Sequence, residues 1–161
     1  MGMQRGGAPV GYLDEISPVE AASVVYLRLW ADGSFGRDRV WADFEPIVGH
    51  EETMKALQTF GQLCSLCVNY GRRPLARHGI NCRCLGGDEA CFATFMSYVC
   101  EGEREDAFLM AANMVRPKMA SNLVNLAEDF GAVLKKVIGD NDLGESLTTV
   151  QATHPETANV H

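Results

Sequence analysis

The chain reads as all-α: an antiparallel helical bundle of about five or six helices with short connections and a central buried helix. Three observations predict this. Apolar residues recur at helical spacing through most of the chain. No period-2 run of β-branched residues bounded by turns is present. Helix start and stop signals, such as Ser17-Pro18-Val19-Glu20 and Gly139, fall where the periodic stretches begin and end. At 161 residues the chain is long enough for one domain with a real core. The expected organisation is a flexible N-terminal arm over 1–11, one helical domain over 12–139 and a disordered, Thr-rich tail over 140–161.

In order, Ser17 caps a first helix, with Pro18 at its first position and Glu20 closing a capping box. The stretch AASVVYLRLWAD supplies an apolar stripe, and Asp32-Gly33 stops it. A short second helix is expected from about Arg37 to Phe44, ended by the restriction Pro46 places on Glu45. Trp41 and Phe44 would plug the side of the bundle. The third helix runs from about Glu51 to Tyr70. Met54, Leu57, Phe60, Cys64, Cys67 and Val68 form one stripe, and Leu63, Leu66 and Tyr70 another. A helix apolar on most of its circumference should be buried, so this one is expected to be central.

A basic loop follows, GRRPLARHGINCRCLGG, in which PLARHG suggests a single helical turn. Asp88 then caps a fourth helix with Phe92, Phe95, Met96 and Val99 facing inward. Glu103, Glu105 and Asp106 open a fifth, where the helix dipole favours acids. Pro117 starts a sixth, which ends at Lys135, Lys136 and Gly139.

The chemistry concentrates between His50 and Cys91, which holds five of the six cysteines and two of the four histidines. Cys64 and Cys67 lie one helical turn apart and point to one side. Cys82 and Cys84 sit in a Gly-flanked loop. Thiolates so arranged suit tetrahedral zinc, with His78 or Cys91 as a further ligand, which makes Cys64, Cys67, His78, Cys82, Cys84 and Cys91 the candidate metal ligands. The spacing departs from a paired-knuckle zinc ribbon, because the second pair is C-x-C and the first lies in an apolar helix. Buried cysteine also serves as a small hydrophobe.

Cys82 and Cys84 are in addition a candidate redox pair, since neighbouring arginines raise the thiolate fraction. A cysteine with His78 and Asp88 or Glu89 supplies the residue types of a nucleophile, base and orienter, a combination common by chance in a short loop. Arg72, Arg73, Arg77 and Arg83 form a local basic group suited to an anion or to nucleic acid. The net charge of −7 argues against a general polyanion-binding surface.

No apolar leader and no run long enough to span a bilayer is visible, so a cytoplasmic location with reduced cysteines is expected. No catalytic signature stands out. The leading expectation is therefore a non-enzymatic bundle of regulatory or protein-interaction type, with a protein partner or a second copy of itself. A zinc-binding or thiol-redox protein is the alternative, and an anion or nucleic-acid binder the second alternative.

Overall fold

The computed structural model describes residues 5–139 and forms an all-α bundle. The six helices are α1 (Pro18–Ala31), α2 (Ser34–Val48), α3 (His50–Tyr70), α4 (Gly87–Glu101), α5 (Arg104–Met114) and α6 (Ala120–Ile138). The expected tail over 140–161 lies outside the described residues. The box at Ser17 is present: its side chain accepts from Glu20 N while Glu20 Oε1 accepts from Ser17 N.

The helix at the centre is α1, not α3. Every residue of α1 from Ala21 to Leu29 is buried, including Arg28. In α3 only one face is covered, through Thr53, Ala56, Phe60, Leu63 and Leu66, whereas Val68 is 79% and Met54 41% exposed. The apolar residues of α3 wrap its circumference, but neighbours cover only one side. On that side, a column of aromatic rings fills the core. Phe44 stacks on Phe130 and Phe130 on Phe60, with Phe60 meeting the edge of Trp30 at 5.4 Å between centroids.

Helix α2 runs through Pro46 to Val48 instead of stopping before it. Proline removes one hydrogen bond and crowds the preceding turn. That cost falls on the last turn only, and Gly49 N closes the helix on Glu45 O at 2.9 Å. Along α5 the inward face is narrower than the apolar composition suggests. Ala107, Ala111 and Val115 are buried, while Phe108 and Leu109 are 42% and 63% exposed.

From Arg5 onward the N-terminal arm is structured, contrary to its expected looseness. Pro9–Tyr12 forms strand β1, which pairs antiparallel with strand β2, Cys84–Gly86. This ribbon and the adjoining 3-10 turns lie against the start of α4. A strand of four residues has too little length for an alternating pattern to be read. Its partner, in the cysteine-bearing loop, provides the edge that orders it. No helical turn forms at Pro74–Gly79.

Candidate functional site

The centre of the site is a buried ion pair that joins helices 61 residues apart in sequence. Arg28, from the middle of α1, meets Glu89, from the first turn of α4. The guanidinium Nε and Nη2 donate to the two carboxylate oxygens, each at 2.8 Å. The remaining donors reach backbone carbonyls of the basic loop: Nη1 to Gly79 O at 3.1 Å and Cys82 O at 2.6 Å, and Nη2 to Cys84 O at 2.7 Å. The rigid fork of arginine matches both a carboxylate and fixed carbonyls, which lysine could not do.

Glu89 is equally committed. Besides Arg28 it accepts from His78 N at 2.9 Å and from Gly86 N at 3.0 Å. Burial alone would raise its carboxyl, but the hydrogen bonds from Arg28, Gly86 and His78 outweigh that and hold the pKa below the ordinary range. Asp88 secures the preceding residues, accepting from Ala76 N at 2.7 Å and pairing with Arg73. The N-cap of α4 is Gly86, and Asp88 lies in the first turn. A loop of irregular backbone is thus pinned from Ala76 to Gly86 by two acidic side chains and one buried arginine.

This pinning places Cys82, Cys84 and His78 together. Cys82 Sγ lies 3.4 Å from His78 Nδ1. The opposite ring nitrogen, Nε2, is 2.8 Å from Gly7 O. A carbonyl can only accept, so Nε2 carries a proton and Nδ1 faces the sulfur. The orienting group is therefore a backbone carbonyl of the N-terminal arm and not the Asp88 or Glu89 carboxylate. The arm passes close because residue 6 is glycine: a Cβ there would fall 1.9 Å from Asp88 Oδ2. Gly86 likewise leaves room for the imidazole, where a Cβ would sit 2.9 Å from His78 Cδ2.

The electrostatics follow from this geometry. The Cys84 amide donates to the Cys82 sulfur; burial opposes ionisation, but the His78 imidazole and the Cys84 thiol also donate, and the Cys82 pKa is lowered. Cys84, whose proton the Cys82 sulfur holds, is raised. Burial opposes protonation of His78, yet its hydrogen bonds to Cys82 and Gly7 and the nearby Glu89 charge raise its pKa. Of the two sulfurs, Cys82 is therefore the one that ionises more readily, beside the His78 imidazole.

The other expected residues lie apart from this group. Cys64 and Cys67 are half-buried on α3. Burial pushes both thiols up to about 12, and at Cys64 the neighbouring Cys67 adds to the rise. They are protonated at neutral pH and act as small apolar side chains. Cys91 is exposed on α4 rather than turned toward the inward face. Among the described residues no three or more His, Cys, Asp or Glu side chains converge to hold a metal ion. The candidate zinc ligands Cys64, Cys67, His78, Cys82, Cys84 and Cys91 thus separate into a helix pair, a loop group and a lone exposed thiol.

The arginines divide as well. Arg83 turns away to Asp14 at 3.2 Å. Arg72, Arg73 and Arg77 line a common cleft, joined by Arg37 from α2. Comparison with family models, curated proteins and solved structures finds no match to this chain.

Proposed function

We propose that the protein is a thiol-redox protein that uses Cys82 as its nucleophile and Cys84 as its resolving thiol. The observation that carries this is the contact of Cys82 Sγ with His78 Nδ1, the imidazole being oriented from behind by Gly7 O. A thiolate is the reactive form of cysteine, and a hydrogen-bonded imidazolium with a second thiol is an environment that favours it. In a cytoplasmic setting the resting state is the dithiol.

The oxidant is a disulfide, of a protein or of a small thiol. The Cys82 thiolate attacks one of its sulfurs, the S–S bond breaks, and the departing thiolate takes the proton of the His78 imidazolium. The mixed disulfide so formed at Cys82 is then attacked by Cys84. Its proton passes through the neutral imidazole to the second leaving thiolate. The net change oxidises two thiols to the Cys82–Cys84 disulfide and reduces the partner disulfide to two thiols.

Oxidised glutathione tests this. Mass mapping of the wild type is expected to show a Cys82–Cys84 bridge, whereas Cys84→Ser is expected to retain a mixed disulfide at Cys82. Iodoacetamide at neutral pH should label Cys82 ahead of Cys91, although Cys91 is the exposed cysteine. Faster labelling of Cys91, with no bridge in the loop, would refute the assignment.

A second reading, the interaction protein expected from the sequence, is favoured by Phe108 and Leu109, adjacent and exposed on α5. Arg104 and Glu105 flank them. Arg104 is already paired with Glu128, so the apolar pair, and not charge, would carry a two-fold contact of this face with itself. Light scattering is expected to report a dimer that Leu109→Lys converts to a monomer; a wild-type monomer at all concentrations removes this reading.

A further inference from the structure

Four of the arginines of this acidic protein border a cleft of about 760 Å³ between α1, α3 and the chain from Gly71 to Arg77. That volume is in the range of small-molecule sites. The four arginines are Arg37, Arg72, Arg73 and Arg77, and no acidic residue is among those that line it. Arg73 is neutralised by Asp88. Among the described residues, Arg37, Arg72 and Arg77 have no carboxylate within salt-bridge distance. They are held instead by groups that leave their charge in place. Arg37 lies over the Trp30 ring at 4.7 Å from its centroid, Arg72 Nε donates to Ala112 O at 2.8 Å, and Arg77 Nη1 donates to Leu75 O at 3.1 Å.

Arginines with uncommitted charge stay soluble anywhere on a surface. Here they come from separate parts of the chain and converge. Arg37 and Arg77, 40 positions apart in the sequence, line the same cleft as Cys64. The wall between them is largely apolar. Trp30 continues the core column of rings through Phe60, and it can lie against α3 because residue 61 is glycine, where a Cβ would sit 3.0 Å from its ring. Trp30 is thus partly buried against the core and also borders the cleft, beside the protonated thiols of Cys64 and Cys67.

We propose that this cleft binds a small organic anion: a flat apolar ring that packs along Trp30 and Cys64 and carries a phosphate or carboxylate group held by Arg37, Arg72 and Arg77. Arginine serves this purpose because its planar donors pair with two oxyanion oxygens at once. The apolar wall supplies affinity that a bare ion would lack. The site differs from the basic group expected in the sequence in gaining Arg37 and losing Arg83. Cys82 is not part of its lining, so it stands or falls independently of the thiol chemistry.

The test is a calorimetric titration of the full chain with 1-naphthyl phosphate and with 1-naphthoate, and with 1-naphthol and inorganic phosphate as half-ligands. One naphthyl anion is expected to bind with unit stoichiometry, its affinity falling as salt is raised. Each half-ligand should bind at least about tenfold more weakly. Whichever naphthyl anion binds tighter identifies the oxyanion. Arg37→Gln and Arg77→Gln, both at exposed positions, should each weaken binding about tenfold, whereas Lys55→Gln, which removes an equal charge elsewhere, should not. Ser65→Trp, at an exposed position on the cleft wall, should block binding by volume alone. Absence of saturable binding by both naphthyl anions overturns the proposal. So does affinity that is unchanged in Arg37→Gln and Arg77→Gln variants whose helicity matches the wild type.

Discussion

Glu89→Gln is expected to lower the unfolding free energy by about 3–5 kcal/mol, the cost of leaving one member of a buried ion pair without its partner. The side chains of Arg28 and Glu89 are 1% and 0% exposed, so water cannot take over the lost charge. Glutamine keeps the shape but presents an amide that donates toward a guanidinium already donating through five contacts. Against a typical total of about 5–15 kcal/mol, this is a large share. Urea denaturation followed by tryptophan fluorescence measures it, and a midpoint shift worth less than about 1 kcal/mol would show that the pair is not the anchor described. The double variant Arg28→Met with Glu89→Leu separates two roles. Apolar replacement of both partners commonly restores stability. It leaves the carbonyls of Gly79, Cys82 and Cys84 without their donor, so the loop should detach and its reactivity should not return.

The same pair contributes to the dependence of stability on acid pH. The folded pKa of Glu89 is depressed. Its contribution is therefore complete above the ordinary carboxyl range and is lost as pH falls through the folded value. Glu89→Gln should flatten that part of the stability profile, besides lowering the whole curve.

Much of the frame was legible from local rules. Ser17, Pro18 and Glu20 announced α1, and Phe92, Phe95, Met96 and Val99 announced the inward face of α4, because capping and helical period depend only on near neighbours. Arg28 was passed over, although it left a signal: it follows Val25 by three positions and Val24 by four, on the face the helix buries. A charge in that register signals a buried partner. It does not say which carboxylate, since Glu89 is brought to it by the tertiary fold alone. The mistaken choice of α3 as the central helix has the same origin. Periodicity reports which faces are apolar, whereas the packing of the other helices decides which of those faces are covered. The orienting contact of His78 had no signal at all, because every residue carries a carbonyl and the arm that presents Gly7 is ordered by a strand partner distant in sequence, Pro9 pairing with Gly86 and Tyr12 with Cys84. The C-x-C pair with a nearby histidine and arginine was visible. Its separation from Cys64 and Cys67 was not.

His78→Ala is expected to move the rise of Cys82 alkylation with pH toward the range of a free thiol and to slow the reaction at pH 7 by about three- to tenfold. In the wild type the hydrogen bonds within the loop lower the pKa of Cys82 and raise that of His78. The signs differ for the two partners. The raised pKa of His78 stabilises the fold fully below its unfolded value and loses that contribution as pH rises through the folded one. The lowered pKa of Cys82 stabilises above its unfolded value and loses that contribution as pH falls through the folded one. Removing the imidazole takes away one donor to the sulfur but leaves those from Cys84, so the shift should be partial. Each unit recovered by the thiol reduces its thiolate about tenfold at a fixed neutral pH, and the gain in intrinsic nucleophilicity of a more basic sulfur returns part of that loss, which gives the range expected. His78→Gln, which can still donate toward the sulfur without bearing a charge, should fall between the wild type and alanine. The pH profile distinguishes this from mere damage to the loop. A variant whose loop had simply opened would expose Cys82 and react at least as fast at high pH with its midpoint at that of a free thiol. A wild type with the midpoint of a free thiol would mean that the imidazole at 3.4 Å does not hold the Cys82 thiolate in solution.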